Sequence, residues 1–137
     1  MFSPGTFPVA ALVLALSAGV SRAADQGSSG AAQVAGVAPG IVDGQTAHKL
    51  VAGGVKVVDV RTPSEFRSGH VPGAINIPYD EMPNRYSEIG PPSTPVLLYC
   101  RTGHRTAIAM RTLRSQGYAT IYDLQRYDKW VGSEHGR

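Results

Sequence analysis

The stretch Pro95–Gly117, PVLLYCRTGHRTAIAMRTLRSQG, decides how the chain is read. Val96, Leu97, Leu98 and Tyr99 form a short apolar run without alternation, the pattern of a strand buried on both faces of a parallel sheet. The run stops at Cys100, the only cysteine in the chain. Arg101, Thr102, Gly103, His104 and Arg105 follow, and then a helical pattern. Ala107, Met110 and Leu113 are expected on its inner face, with Ile108 beside them. Arg111 and Arg114 fall in the last turns, where cations favour a helix C-terminus, and Gly117 supplies the stop. The stretch therefore reads as strand, tight loop and helix, with a thiol at the turn.

A loop entering a helix N-terminus presents backbone N–H groups that have no intrahelical partner. If it curls around the Cys100 sulfur, those groups form an anion cradle, and Gly103 suits a curl that needs positive φ. Arg101 and Arg105 add positive charge. Such surroundings lower a free thiol from about 8.5 into the range of roughly 3.5–7.5. Cys100 is then expected as a reactive thiolate; the plainer alternative is a core cysteine at a strand end.

The segment Cys100-Arg101-Thr102-Gly103-His104-Arg105 resembles the Cys-x-x-Gly-x-Arg active-site loop of rhodanese-type sulfurtransferases. Three further segments resemble the family in order and spacing: Val57-Val58-Asp59-Val60-Arg61, then Glu65-Phe66, then Gly69-His70-Val71-Pro72-Gly73-Ala74-Ile75-Asn76-Ile77-Pro78. The resemblance covers about Ile41 to Val131, and within the family it is to the small, exported single-domain enzymes of the phage-shock type. It implies a rhodanese-like α/β fold, with a mainly parallel sheet of about four to five strands and helices on both faces. It also implies Cys100 as nucleophile, with Arg101, Thr102, Gly103, His104 and Arg105 as the substrate- and anion-binding loop. Arg101, His104 and Arg105 are candidates for holding a donor's sulfonate oxygens; His104 is equally a spacer pointing at solvent. His70 is expected as a buried imidazole tying two loops together. Family members commonly carry glycine after the last strand, where this chain has Gln125-Arg126, so bulkier side chains are expected to overhang the pocket.

At 137 residues, 42% hydrophobic and 17% charged, the chain has room for one ordinary domain. The net charge is +3, without a Lys/Arg run or aromatic–basic alternation, so nucleic-acid binding is unsupported. A mild positive bias suits small anionic substrates. One cysteine excludes an intramolecular disulfide, no nucleotide motif occurs, and the four histidines show no metal-ligand spacing. No cofactor and no metal are therefore expected.

Residues 1–23 read as a signal peptide: Val9 to Val20 is apolar, and Ser21-Arg22-Ala23 has small residues at the positions that precede cleavage. The n-region lacks Lys and Arg. An uncleaved anchor is the alternative, but the run is short of the ~20 residues a span needs. Export, to a periplasm or beyond, is expected, with no membrane attachment after cleavage. Residues 24–40 are Gly, Ala and Ser with hardly a large apolar side chain, a flexible linker. The domain is expected over residues 41–132, followed by a polar tail over residues 133–137.

Within it, Gln45 to Ala52 is a helix candidate with Ala47, Leu50 and Val51 inward and His48 at its rim. Val55 to Val60 is a buried strand, bracketed at its C-terminal end by Asp59 and Arg61. Ligands of parallel sheets lie beyond such ends, so the two are expected to hydrogen-bond the cysteine loop from behind; a local Arg61–Glu65 pair is the alternative. Thr62 is a plausible N-cap with Pro63 at N1. Ala74 to Ile77 is a short strand, Tyr79 to Ile89 is irregular or helical and broken by Pro83, and Thr120 to Leu124 is the last strand. Tyr127 and Trp130 lie on a terminal helix.

Three functions compete. The first moves a sulfane sulfur from an anionic donor such as thiosulfate, through a Cys100 persulfide, to cyanide, a thiol or another protein. The second is a phosphatase or arsenate reductase on the same fold; relatives of that kind carry a loop one residue longer than the four residues between Cys100 and Arg105. The third is a persulfide carrier with little turnover.

Overall fold

The computed structural model describes residues 36–134. The expected signal peptide, most of the expected linker and the last three residues of the tail lie outside the described residues. The elements run β1 (Gly40–Ile41), α1 (Gly44–Ala52), β2 (Lys56–Asp59), α2 (Pro63–Ser68), β3 (Ile75–Asn76) and α3 (Met82–Arg85). A tighter helical turn (Tyr86–Ile89) continues α3, and β4 (Val96–Cys100), α4 (His104–Ser115), β5 (Ile121–Arg126) and α5 (Tyr127–Glu134) follow. The strands form one five-stranded parallel sheet in the order β1-β5-β4-β2-β3. This is the α/β architecture expected, with helices on both faces.

The unbroken apolar run of β4 has a direct cause. β4 lies between β5 and β2, and all five of its residues are fully buried. Leu98 and Cys100 join Val58, Ile121, Met82, Ala109 and Leu113 in the core under α3 and α4. Leu97 and Tyr99 join Val57, Tyr122, Leu124, Ala47, Leu50 and Trp130 under α1 and α5. A strand with two apolar neighbourhoods has no polar face to show. The parallel register brings the C-terminal ends of β2, β4 and β5 to one edge, where Cys100 ends its strand.

Several local expectations change. In α4 the buried residues are Thr106, Ala109 and Leu113; Ala107 is exposed and Met110 half-buried. The helix has few large apolar side chains, so its pattern admits two frames. The frame is settled by Thr106, whose hydroxyl donates to the Gly103 carbonyl at 2.8 Å and so enters the core satisfied. In α1, Gly44 joins Ala47 and Leu50 on the buried face, and Val51 packs partly buried against the same core. A Cβ at Gly44 would stand 2.1 Å from the Lys129 carbonyl oxygen, so glycine lets α1 approach α5. Pro83 does not break its helix but occupies the first turn of α3, where its missing N–H costs nothing. Residues 36–40, expected in the linker, already belong to the packed unit: Val37 lies against the core and its carbonyl accepts the Tyr122 hydroxyl at 2.9 Å. At the other end α5 extends to Glu134, into the expected tail.

Leu98, fully buried at the centre of the sheet, tests this packing. Leu98→Ala is expected to lower the unfolding free energy by about 2–5 kcal/mol, because the flanking strands cannot close the cavity. Urea unfolding followed by circular dichroism measures it.

Candidate active site

Cys100 is fully buried at the end of β4. The Gly103 N–H donates to its Sγ at 2.9 Å, and the thiol in turn points at the Gln125 carbonyl oxygen, 3.3 Å away. Among the described residues Sγ itself thus has one backbone donor and one backbone acceptor. Gly103 caps α4 with φ of 93°, a left-handed turn that disfavours any L side chain. A Cβ there would also press on the Gln125 Cβ at 3.3 Å. The loop and the end of β5 are therefore fitted to each other.

Gln125 reaches this position through a bulge. Leu98 is registered with Asp123, but the next pair is Tyr99 with Gln125, so Leu124 is the extra residue. Gln125 has φ of 70°, the one positive value outside glycine among the described residues. That conformation costs about 1–2 kcal/mol, and the Asp123 carboxyl offsets part of it by accepting the Gln125 N–H at 2.8 Å. Asp123 is itself buried, and burial pushes its carboxyl above the ordinary range against the pull of its hydrogen bonds. The Gln125 side chain is held by Lys129, whose Nζ donates to Oε1 at 2.8 Å. Arg126 turns instead to Asp128, with Nε donating to Oδ1 at 2.9 Å.

Asp59 and Arg61 do not bond the cysteine loop, and Arg61 does not pair with Glu65. Arg61 Nη2 donates to Asp59 Oδ2 at 2.6 Å and to the Gly69 carbonyl at 2.6 Å, while Nε donates to Asp59 Oδ1 at 2.9 Å. Its guanidinium lies 4.6 Å from the centre of the Tyr127 ring and 5.4 Å from that of Tyr99. Burial opposes the charge on Arg61, and the Asp59 carboxylate outweighs it. The Asp-x-Arg spacing is short enough for the two side chains to close on each other, leaving neither free for the loop.

Glu65 pairs with Arg105. Arg105 Nη1 donates to Oε1 at 2.8 Å, so the loop's last arginine is braced by α2 rather than aimed freely at the thiol. The same carboxylate completes a capping box with Thr62. Arg105 holds the Glu65 carboxyl below its usual range, and Glu65 raises the guanidinium in return. His70, expected as a buried tie between loops, is exposed. Its ring stacks on Phe66 at 3.7 Å and its Nδ1 meets the Phe66 carbonyl at 2.8 Å, a local contact four residues away that needs no burial. The side chains of Arg101, Thr102 and His104 are exposed and make no hydrogen bond or ion pair among the described residues. Beside them a cleft of about 430 Å³ is lined by Arg61, Glu65, Ser68, Arg101, Tyr127 and Asp128. Sequence reasoning missed the roles of Asp123, Tyr99 and Tyr127 here. Besides the Glu65-Phe66 segment of the resemblance, the capping box was a signal for Glu65, since it fixes that carboxylate at the start of α2.

The chain belongs to the rhodanese-like domain family, whose model matches residues 44–132. A sulfurtransferase of Allochromatium vinosum is 41% identical over 71 residues, 52% of this chain and 65% of that protein. A chloroplastic thiosulfate sulfurtransferase of Arabidopsis thaliana is 32% identical over 106 residues, 68% of this chain and 88% of that protein. A human single-domain sulfurtransferase of solved structure superposes with a TM-score of 0.56 at 27% identity, covering 70% of this chain and 97% of that one. The chain spans less than two thirds of the length of several relatives, 61% for an uncharacterised Bacillus subtilis protein 42% identical over 78 residues, 56% of this chain.

The Glu65–Arg105 tie carries a pH signature. A depressed folded-state carboxyl stabilises above its unfolded pKa, and the contribution is lost as pH falls through the folded value. Glu65→Gln is therefore expected to cost about 0.2–1 kcal/mol near neutral pH, as for a solvent-screened pair. The gap to wild type should close in acid, below the ordinary 4.5 of the carboxyl. Denaturant unfolding of both proteins across acid and neutral pH checks it.

Proposed function

We propose that the protein is a sulfurtransferase that carries a sulfane sulfur on Cys100, with thiosulfate or a similar anion as donor. The observation that carries the reading is the placement of the chain's one thiol: at the C-terminal end of the central parallel strand, hydrogen-bonded by Gly103 N–H at the mouth of α4. The names of relatives from Allochromatium and Arabidopsis support the same chemistry. Cys100 as thiolate attacks the outer sulfur of the donor. A new S–S bond forms, the donor's own S–S bond breaks, and sulfite leaves with its electron pair. Arg101 and His104, uncommitted at the loop's outer side, hold the sulfonate oxygens, and Gly103 N–H supports the charge left on the persulfide. A thiophilic acceptor, cyanide, a thiol or a protein thiol, then takes the outer sulfur. With Cys100 fully buried, the donor reaches Sγ only as Gln125 or the loop yields.

Cys100→Ser, nearly unchanged in volume, is expected to fold and to lose thiosulfate:cyanide transfer entirely. A folded serine variant with substantial activity contradicts the mechanism. The loop of four residues between Cys100 and Arg105 converges on a small volume, so the wild type should turn over thiosulfate and not aryl phosphates. A phosphatase kcat/KM equal to or above that for thiosulfate would overturn the assignment.

Export belongs to the same reading. The apolar run Val9–Val20 followed by Ser21-Arg22-Ala23 supports a cleaved leader. N-terminal sequencing of the protein from its native cells should begin at or near Ala24; an intact Met1 on cytoplasmic protein would refute export.

A further inference from the structure

Cys100 is fully buried, and its thiol donates to the Gln125 carbonyl at 3.3 Å. Gln125 is itself tied down. Its N–H donates to Asp123 Oδ1 at 2.8 Å, and its side-chain Oε1 accepts from Lys129 Nζ at 2.8 Å. Its φ of 70° is the one positive value outside glycine among the described residues. The other jaw is built differently. Gly103 takes its left-handed turn without strain, Thr106 donates to its carbonyl at 2.8 Å, and Arg105 is braced by Glu65 at 2.8 Å. The strained partner of the thiol is therefore on β5, and that is the side that has to yield.

A carbonyl oxygen suits the thiol and opposes the thiolate. It accepts S–H from the neutral form. Once that proton leaves for solvent, two negative ends face each other at the same spacing, in surroundings that screen poorly. The attacking form of Cys100 thus works against this position of the carbonyl. The carbonyl has few ways to turn. With φ kept positive, its reversal leads into backbone conformations open essentially to glycine alone. The alternative undoes the bulge in β5, which Asp123 secures through the Gln125 N–H. The side chain at this position, not only its bulk, therefore holds the thiol shut.

Resting on the function proposed above, we infer that Gln125 is a positioning residue that latches the Cys100 thiol, so that sulfur loading is limited by the fraction of molecules in which its carbonyl has turned away. Gln125 does not act on the donor. Opening is an equilibrium that precedes attack, so it weakens the apparent affinity for donor by the open fraction and leaves the maximal rate to the chemistry. The same fraction scales the attack of Cys100 on any other electrophile, whatever its charge.

The test sets two unrelated electrophiles against the full-length protein. Thiosulfate loading is followed in a single turnover by intact mass, and iodoacetamide, small and neutral, alkylates Cys100. Gln125→Gly suits the positive φ and so keeps the fold. It should load about tenfold faster at low thiosulfate, the order of the cost that the backbone region imposes on a residue with a Cβ. The gain should lie in the half-saturating concentration and not in the maximal rate, and alkylation should quicken by the same factor. Gln125→Ala removes the overhanging side chain but keeps Cβ, and should remain about threefold or more behind the glycine variant in both reactions. General damage to the site slows loading and does not imitate this gain. A glycine variant no faster than wild type, a gain confined to thiosulfate, or an alanine variant as fast as the glycine one overturns the latch and leaves sulfur transfer intact. A wild type that takes no sulfur from thiosulfate removes the underlying function, and with it the role of the latch in loading, even where alkylation follows the pattern.

Discussion

The Arg61 guanidinium holds the working edge of the sheet together. It is 6% exposed, so its charge is taken almost wholly out of water. A buried ion costs several kcal/mol unless its hydrogen bonds are replaced. Here Asp59 accepts from Nε and Nη2, Gly69 accepts from Nη2, and the rings of Tyr99 and Tyr127 flank the cation. These contacts join the end of β2 to the turn after α2, to the middle of the edge at β4, and to the start of α5. Asn76 extends the tie by donating from Nδ2 to the carbonyls of Asp59 and Arg61, both at 3.0 Å. Removing one partner of such a pair leaves an uncompensated charge, a loss on the order of 3–5 kcal/mol. The pair is thus a constraint on geometry more than a source of net stability, and it fixes the floor on which Tyr127 and the cleft rest.

The thiol sits a strand away, in a grip made by two unusual backbone conformations. Gly103 turns left-handed so that its N–H meets Sγ, and Gln125 turns left-handed so that its carbonyl does. Only the first is a glycine. The second is held by Asp123 through the bulge in β5, so a buried carboxylate on one strand sets a contact to the nucleophile on the next. Bulges are common beside functional sites because they re-aim one residue without disturbing the rest of the sheet. The Glu65–Arg105 bridge braces the far side of the same loop. The loop is therefore supported from β5, α2 and its own helix, while Arg101, Thr102 and His104 are left exposed on the outside.

The features legible in the sequence were those set by near neighbours or by uniform burial. The apolar run of Val96 to Tyr99 can be satisfied only between two covered faces, and the Thr62-Pro63 start of α2 is decided by hydrogen bonds within one turn. Gly103 announces a left-handed turn because few other residues adopt it. On α4, Met110 and Leu113 meet the core as expected, but Ala107 gives way to Thr106 and Ala109, because alanines and threonine offer little contrast and the core accepts Thr106 once its hydroxyl is satisfied. His70 was misplaced because stacking on Phe66 satisfies an imidazole at the surface as well as burial would. The Glu65–Arg105 bridge spans 40 residues, and the Asp123–Gln125–Cys100 chain depends on a one-residue register shift between strands. Neither is encoded in local spacing, and both exist only after the sheet has assembled.

The account turns on whether Cys100 takes and gives up a single sulfur atom. Intact mass measurement of the purified protein after thiosulfate, and again after cyanide, tests this most directly. The account predicts a gain of one sulfur atom on the wild type, full reversal by cyanide with release of thiocyanate, and no gain on Cys100→Ser. A wild type whose mass is unchanged by thiosulfate, or a gain that persists in the serine variant, would contradict it.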